Sequence, residues 1–120
     1  MADGRMRRVD EAVREVLSDA ISTDLKDPRV GFVTVTAVKT SRDLRHARVY
    51  VSVLGDEPTR VQTLAGLRSA HGFLQGEISR QLKLKHTPTL TFEYDETVER
   101  AARLTQLLEH GPDAEPDSDA

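Results

Sequence analysis

The spacing of three strand-like stretches is the feature of this sequence that most restricts its fold. Residues 32–39 and 45–54 are rich in β-branched side chains, and only the short polar linker 40–44 separates them. A linker of this length predicts an antiparallel hairpin. The third alternating stretch, residues 89–94, follows two helical patterns, so it cannot be a simple hairpin partner of the second.

Alternation along each stretch predicts which side chains face the core, because successive side chains of a strand point to opposite faces. Phe32 is expected on the outer face of the first strand. The predicted inward positions are Val33, Val35 and Ala37 in the first strand, Ala47, Val49, Val51 and Val53 in the second, and Leu90, Phe92 and Tyr94 in the third.

Four helical patterns surround these strands. Residues 6–26 carry an apolar stripe at spacings of three and four, and Asp27-Pro28 is expected to stop that helix before a turn at Gly31. Pro58 suits the first turn of a second helix that runs to about residue 70. The apolar positions predicted for the second and third helices are Val61, Leu64, Ala65 and Leu67, then Phe73, Leu74, Ile78 and Leu82.

A small-residue break separates those two helices. Residues 70–72 predict a kink or tight turn, with Gly72 between the helical segments, and we expect Phe73 to fill the core. The third helix is expected to end near residues 83–88, and residues 95–110 predict a final helix. The order is α-β-β-α-α-β with a C-terminal helix, which predicts an α+β domain whose three-stranded sheet carries helices on one face.

Length and charge set the domain plan. A chain of 120 residues suits a single core, which we assign to residues 1–110. Residues 111–120 contain four acids, no bases and no apolar side chain larger than alanine, so we expect a disordered acidic tail. Removing those four charges from the net −3 leaves a formal +1 on the rest. The absence of cysteine, of a long apolar run and of a signal-like N-terminus favours a cytoplasmic protein.

Four local sequences carry a resemblance to a known family. They are Lys26-Asp27-Pro28-Arg29-Val30-Gly31, Ser41-Arg42-Asp43-Leu44, the stretch Ala70-His71-Gly72-Phe73-Leu74 continuing to Leu82-Lys83-Leu84-Lys85, and Pro88-Thr89-Leu90-Thr91-Phe92-Glu93-Tyr94-Asp95. Together with the element order, they resemble the bacterial ribosome-binding factor A family, over residues 7–108. The resemblance implies a type II KH-like fold and a partner, the 30S ribosomal subunit with its 16S rRNA. It also implies late 30S maturation, 5′-end processing of that RNA, cold adaptation and release before translation.

The break between the second and third helices is a candidate binding element. An ordinary KH domain clamps nucleotide backbone with a GxxG loop at this place. This chain has Ala70-His71-Gly72 instead, as the family implies, so a standard single-strand clamp is not expected. We retain Ala70, His71 and Gly72 as candidate RNA contacts, since a helix N-terminus offers free backbone donors to phosphate. The alternative for His71 is simple exposure.

Basic clusters provide the other candidate contacts, because cations that neutralise phosphates release counterions. We select them as clusters without neighbouring acids. Each has a plain alternative: a helix end whose cations offset the dipole, a soluble terminus, or ordinary outward arginines on a strand. The clusters are Arg80, Lys83 and Lys85 beside His86, with Arg80 and Lys83 expected on one helix face; Arg5, Arg7 and Arg8; and Arg42 and Arg45, with Arg48 farther along the strand.

Catalysis finds little support in the sequence. The four histidines lie on different predicted elements, cysteine is absent, and no phosphate-binding glycine motif is present, so we predict no catalytic residue, metal or cofactor. Ser41 and Asp43 are expected to cap a turn. Glu93, Asp95 and Glu96 are expected to cap and begin the last helix rather than bind a metal.

The residues and the family resemblance together predict a non-catalytic, monomeric RNA-binding protein with no membrane and no small-molecule substrate, and the resemblance implies that it is an assembly factor. Two other functions remain open. A general KH-like module for single-stranded RNA would prefer isolated oligonucleotides to small subunits, although the single glycine and the few aromatic residues count against it. A protein-interaction module would keep its partner after removal of Arg80, Lys83 and Lys85.

Overall fold

The computed structural model describes residues 4–110, and the predicted order of elements is confirmed. Helix α1 continues into a five-residue π-helical turn, Ala20–Asp24. The remaining elements follow in the order that the sequence predicts. The bounds are α1 Gly4–Asp19, β1 Val33–Thr40, β2 His46–Val53, α2 Glu57–Ser69, α3 His71–Gln81, β3 Thr89–Tyr94 and α4 Thr97–His110.

The first helix ends where its apolar stripe ends. Val13 and Leu17 are fully buried, and Ile21 in the π-helical turn completes the stripe. Leu25 is extended, so helical structure stops shortly before Asp27-Pro28 rather than at it. The residue before a proline disfavours helical geometry, and the chain here has turned before reaching it.

The sheet is mixed, with strand order β1-β2-β3. Strands β1 and β2 form the predicted antiparallel hairpin, and β3 pairs with β2 in parallel from His46↔Thr89 to Val51↔Tyr94. A parallel neighbour requires a crossover connection, and α2 with α3 provides it. The β1–β2 loop and the start of β3 therefore lie at the same end of the sheet.

A β-bulge in β1 reverses the predicted orientation of the side chains that follow it. The register shifts between Val35 and Ala37, so Thr36 and Ala37 together oppose one residue of β2. An inserted residue reverses the alternation after it. Val38, at 5% exposure, therefore occupies the core position that the sequence assigned to Ala37.

The core lies between the sheet and the helices, which cover one face as predicted. The inward side chains of β2 and β3 are confirmed, with Val49, Val51 and Phe92 almost fully buried. Two predicted core positions are wrong: Val61 is 60% exposed and Phe73 is 43% exposed. Both lie on helices whose buried faces point elsewhere, through Leu67 on α2 and through Leu74 and Ile78 on α3.

Residues 26–31 form a turn that packs on α2. Asp27 accepts a hydrogen bond from the Val30 N–H through its carbonyl (2.9 Å) and binds the Arg29 guanidinium through its carboxylate (2.7 Å). The Arg29 carbonyl accepts from the Thr63 hydroxyl at 3.2 Å. A methyl group at Gly66 would lie 2.7 Å from a Val30 methyl carbon, so only glycine permits this approach.

The last helix, α4, begins at the predicted cap and leaves most of its surface exposed. Asp95 accepts from the Thr97 N–H at 2.8 Å, which confirms the capping prediction. Leu104, Leu107 and Leu108 are all exposed. The predicted acidic tail, residues 111–120, lies outside the described residues. No helix within residues 4–110 has the length and apolar character to cross a membrane.

Candidate nucleic-acid interface

A groove between α1 and the edge strand β1 brings together cations that lie far apart in the sequence. Its volume is about 520 Å³. Arg7 and Arg14 reach it from α1, Lys39 from β1 and Arg42 from the following loop. Arg7 and Arg42 belong to two separate predicted clusters, and the fold places them on one surface.

The two acids of this groove already have partners. Asp10 accepts a hydrogen bond from the outward-pointing Thr40 N–H at 2.9 Å, and Glu11 is paired with Arg14. By contrast, Arg7, Lys39 and Arg42 form no ion pair within residues 4–110. Four cations and two acids line the groove, so its lining carries a formal charge of +2, and a surface of this kind attracts phosphate.

The loop after β1 has a capped turn and two exposed arginines. Ser41 donates to Asp43 at 2.7 Å, and Asp43 accepts from the Arg45 N–H at 3.1 Å, which confirms the predicted turn cap. These two donors, the hydroxyl first, hold the pKa of the Asp43 carboxyl below its usual value. Leu44 has a positive φ of 63° and buries its side chain, so Arg42 and Arg45 face solvent on either side of it.

The segment after α3 departs from its prediction. Helix α3 ends at Gln81 and Leu82 is extended, so Arg80 and Lys83 do not share a helix face. In the extended stretch, Leu82 and Leu84 turn toward the core while Lys83 and Lys85 are exposed. Alternation, not helical spacing, aligns these two lysines.

Arg80 is also not free of acids, as its cluster was predicted to be. Its guanidinium is paired with Glu77 one turn earlier on α3. Glu77 is largely buried and also accepts from the Gln81 amide at 3.0 Å. The Arg80 hydrogen bond holds the pKa of Glu77 below its ordinary value, so an ionised carboxylate stands beside Arg80 at neutral pH.

Lys85 lies four residues before Thr89, the first residue of β3, and β3 begins at the same end of the sheet as the arginine loop. The Thr89 N–H, four residues after Lys85, donates to the Arg45 carbonyl at 2.8 Å. We call the exposed set Arg7, Arg42, Arg45 and Lys85 the basic end. Arg5 and Arg8 are exposed on the first turns of α1, outside the lining of the groove.

The break between α2 and α3 is tighter than predicted. Only Ala70 lies outside the helices (φ −91°, ψ 8°), and Gly72 is inside the first turn of α3, not between the two helices. A Cβ at Gly72 would meet nothing within 4 Å, so open space surrounds it. His71 is exposed, but its Nδ1 lies 2.9 Å from the Arg68 carbonyl, which leaves Nε2 for any outside contact.

Sequence reasoning missed how the outer edge of β3 is covered. The Arg68 guanidinium donates to the Phe92 carbonyl at 2.9 Å, and the Gln75 side-chain oxygen accepts from the Leu90 N–H at 3.2 Å. Arg60 lies 4.5 Å above the Tyr94 ring centre at the far end of the same strand. No local pattern signals these long-range contacts. They occupy backbone groups that an extended ligand would otherwise reach beside α2 and α3.

Lys39 and Arg14 are the candidate residues that the clusters omitted. The signal for Lys39 was present, since it lies three residues before Arg42, but its place at the end of a strand hid it. Arg14 had no such signal, because only the packing of α1 beside β1 brings it to the groove.

The fold and the clustered cations define a small α+β domain of the KH-like class. The family model described as "Ribosome-binding factor A" matches residues 5–108. Ribosome-binding factor A of Geobacter sulfurreducens is 48% identical over 104 residues, covering 87% of this chain and 88% of that protein. The protein of the same name from Halothermothrix orenii is 45% identical, with coverage of 87% and 85%. This chain therefore belongs to the ribosome-binding factor A family.

Solved structures agree with that assignment. A putative ribosome-binding factor A of Thermotoga maritima matches with a TM-score of 0.72 and 34% identity, covering 82% of this chain and 94% of that one. The crystal structure of ribosome-binding factor A from Thermus thermophilus gives 0.67 and 27%, covering 74% and 94%. A Thermus thermophilus homology model fitted into a cryo-electron microscopy map of a complex with the 30S subunit gives 0.59 and 28%, covering 72% and 90%.

Proposed function

We propose that this chain is a non-catalytic assembly factor that binds the 30S ribosomal subunit and contacts its 16S rRNA through the basic end. Family membership and the relative fitted into a 30S complex support the partner. The observation that carries the surface is the meeting of Arg7 and Arg42 in one groove without ion pairs among residues 4–110. Contacts of this kind read phosphate position and shape rather than base identity.

The finer parts of this proposal follow from the family. The chain acts as a monomer in the cytoplasm, late in 30S maturation, assists 5′-end processing of 16S rRNA, and contributes to growth in the cold. Lys83 extends the basic end along the segment before β3. Arg5, Arg8, Ala70, His71 and Gly72 remain secondary contacts, and Arg80 ranks below them because Glu77 binds it.

A general module for single-stranded RNA fits the helix side less well. The edge of β3 is occupied by Arg68 and Gln75, so bases cannot pair with its backbone there without displacing both side chains. The break between α2 and α3 has one glycine and no loop long enough to clamp a nucleotide backbone. A docking surface for a large, folded RNA matches the geometry better.

The test is co-sedimentation of the purified chain with 30S subunits, 50S subunits and 70S ribosomes at low and moderate salt. We expect binding to 30S subunits alone. That binding should weaken as salt rises, because each phosphate contact adds about 0.7 to 0.9 to the steepness of log affinity against log salt. Arg7→Glu, Arg42→Glu and Lys85→Glu together should abolish binding. Unchanged binding of this triple variant would refute the assigned surface.

A matched control keeps the same change in charge. The substitutions Lys26→Glu, Arg60→Glu and Arg100→Glu change residues that do not line the groove between α1 and β1, and they should leave binding near the wild-type level. Circular dichroism melting of both triple variants checks that each remains folded. Binding of the wild-type chain to none of the three particles would refute the proposed function itself.

A further inference from the structure

The sheet face opposite the helices is uncovered and carries a groove of its own. The groove has a volume of about 630 Å³ and lies across all three strands at the same end as the arginine loop. We call this surface the bare face. Its lining side chains include Lys39, His46, Arg48, Tyr50 and Thr91.

Two like charges stand directly opposite each other on the bare face. Lys39 of β1 and Arg48 of β2 are register partners, and a like-charge pair in that position destabilises a sheet. Lys39 has no ion pair within the described residues. Arg48 meets Glu93 of β3 at 3.2 Å, but both side chains are more than 40% exposed, so this pair constrains the guanidinium only weakly. An anion between Lys39 and Arg48 would satisfy both.

An aromatic ring lies next to this pair. Tyr50, on the central strand, is half-buried and two residues from Arg48 on the same face. Because of the bulge, its partner on β1 is Ala37, whose methyl group cannot cover the ring, and its partner on β3 is Glu93, the acid that pairs with Arg48. Aromatic rings beside cations are the usual platform on which proteins stack unpaired bases, and the half-buried Tyr50 ring lies next to two of them.

We propose that the bare face binds an unpaired segment of RNA, with Lys39 and Arg48 on its phosphates and Tyr50 stacked on a base. This rests on the proposed function, because the segment belongs to the 16S rRNA of the same 30S subunit. The groove between α1 and β1 shares Lys39 and Thr40 with the bare face. The chain therefore holds RNA on two adjoining surfaces, a folded element at the basic end and a single strand on the sheet.

The first experiment measures 30S affinity for Tyr50→Leu, Tyr50→Phe and the double variant Lys39→Gln with Arg48→Gln. We expect Tyr50→Leu to lose about 5-fold to 100-fold in affinity and Tyr50→Phe to keep it, because only the former removes the aromatic ring. The double variant should lose affinity and show a lower salt dependence. Thr34→Ala with Ser52→Ala, at the other end of the same face, is the matched control and should bind normally.

The second experiment uses a probe that does not depend on the ribosome. Decauridylate RNA is titrated into the isotope-labelled chain, and amide shifts are followed by NMR. Shifts centred on Lys39, Arg48 and Tyr50 support the proposal, and their absence at millimolar RNA overturns it. Tyr50→Leu and the double variant Lys39→Gln with Arg48→Gln are both compared with the triple variant of Arg7, Arg42 and Lys85. If the first two fold and bind 30S subunits like the wild type while the triple variant does not bind, this inference is overturned and the proposed function stands. Photo-crosslinking at Tyr50 to a ribosomal protein instead of rRNA also overturns it.

Discussion

Asp95 links the sheet to the last helix through a single carboxylate. It accepts hydrogen bonds from the Thr36 hydroxyl in the bulge of β1 and from the Thr97 N–H at the start of α4. These donors, Thr36 first and Thr97 second, hold the pKa of Asp95 below its ordinary value of 3.8. A lowered folded-state pKa means that the ionised form contributes stability above that ordinary value and loses it as the pH falls through the folded-state pKa.

Asp95→Asn should therefore destabilise the chain near neutral pH and have less effect in acid. The loss is about 1 kcal/mol at pH 7, since hydrogen bonds to a charged acceptor are worth more than those to a neutral one. Urea unfolding at pH 7, 5 and 3 measures it. Glu96→Gln, beside it and more exposed, is the control, and a destabilisation by Asp95→Asn that stays constant down to pH 3 would contradict the argument.

At the scale of single residues, the sequence predicted the alternating strands well but not the point where alternation fails. Ala47, Val49, Val51 and Val53 are inward as expected. That Val38 and not Ala37 faces the core was not predictable, because a bulge arises from pairing with the neighbouring strand and leaves no local composition signal. The ion pair between Arg80 and Glu77 could have been predicted from the sequence, since a spacing of three on a helix brings opposite charges together.

At the scale of elements, the turn of residues 26–31 and helix α2 form one packed unit. Thr63 and Gly66 present a groove on α2, and Val30 enters it. The family motif is therefore explained here as packing rather than as a binding surface. A glycine in a helix usually costs stability, so its presence at position 66 indicates a close approach.

Gly66→Ala and Gly76→Ala should change stability in opposite directions. At position 66 a Cβ would meet a Val30 methyl carbon at 2.7 Å, and overpacking of this kind costs about 1 to 3 kcal/mol. At position 76, within α3, a Cβ meets nothing within 4 Å, so alanine should stabilise by about 0.5 to 1 kcal/mol. Thermal and urea unfolding of the pair measures both. Equal effects at the two positions would show that helix propensity alone decides.

Element order was predictable, whereas the ends of elements near the candidate site were not. The single-residue break at Ala70 and the early end of α3 at Gln81 depend on how Leu74, Ile78 and Leu82 reach the core. Those contacts are long-range, so local periodicity placed the predicted end of α3 too late in the sequence. The convergence of Arg7 with Arg42 has the same origin, because only tertiary packing brings α1 beside the loop after β1.

At the scale of the whole molecule, charge is distributed unevenly along the chain. The basic end is formed from three separate parts of the described domain, while four acids are concentrated in residues 111–120. Negative charge on the same chain repels phosphate over roughly a Debye length, about 8 Å at physiological ionic strength.

A chain ending at His110 should keep its stability and bind 30S subunits more tightly at low salt. The composition of residues 111–120 predicts a melting temperature within about 2 °C of the full chain, because such a segment buries little apolar surface. Circular dichroism melts and 30S binding at two salt concentrations measure both effects. Replacing the four acids by their amides separates charge from length, and a large drop in melting temperature on truncation would show that the segment packs on the domain.

Side chains and a bulge partly block both edges of the sheet. Arg68 and Gln75 occupy backbone groups of β3, and a bulge together with Asp10 interrupts β1. A strand from another molecule thus finds no long, regular row of amides to extend, and such rows are what seed edge-to-edge aggregation. Edges closed in this way should lower the tendency of this chain to pair with exposed strands of other, incompletely folded chains.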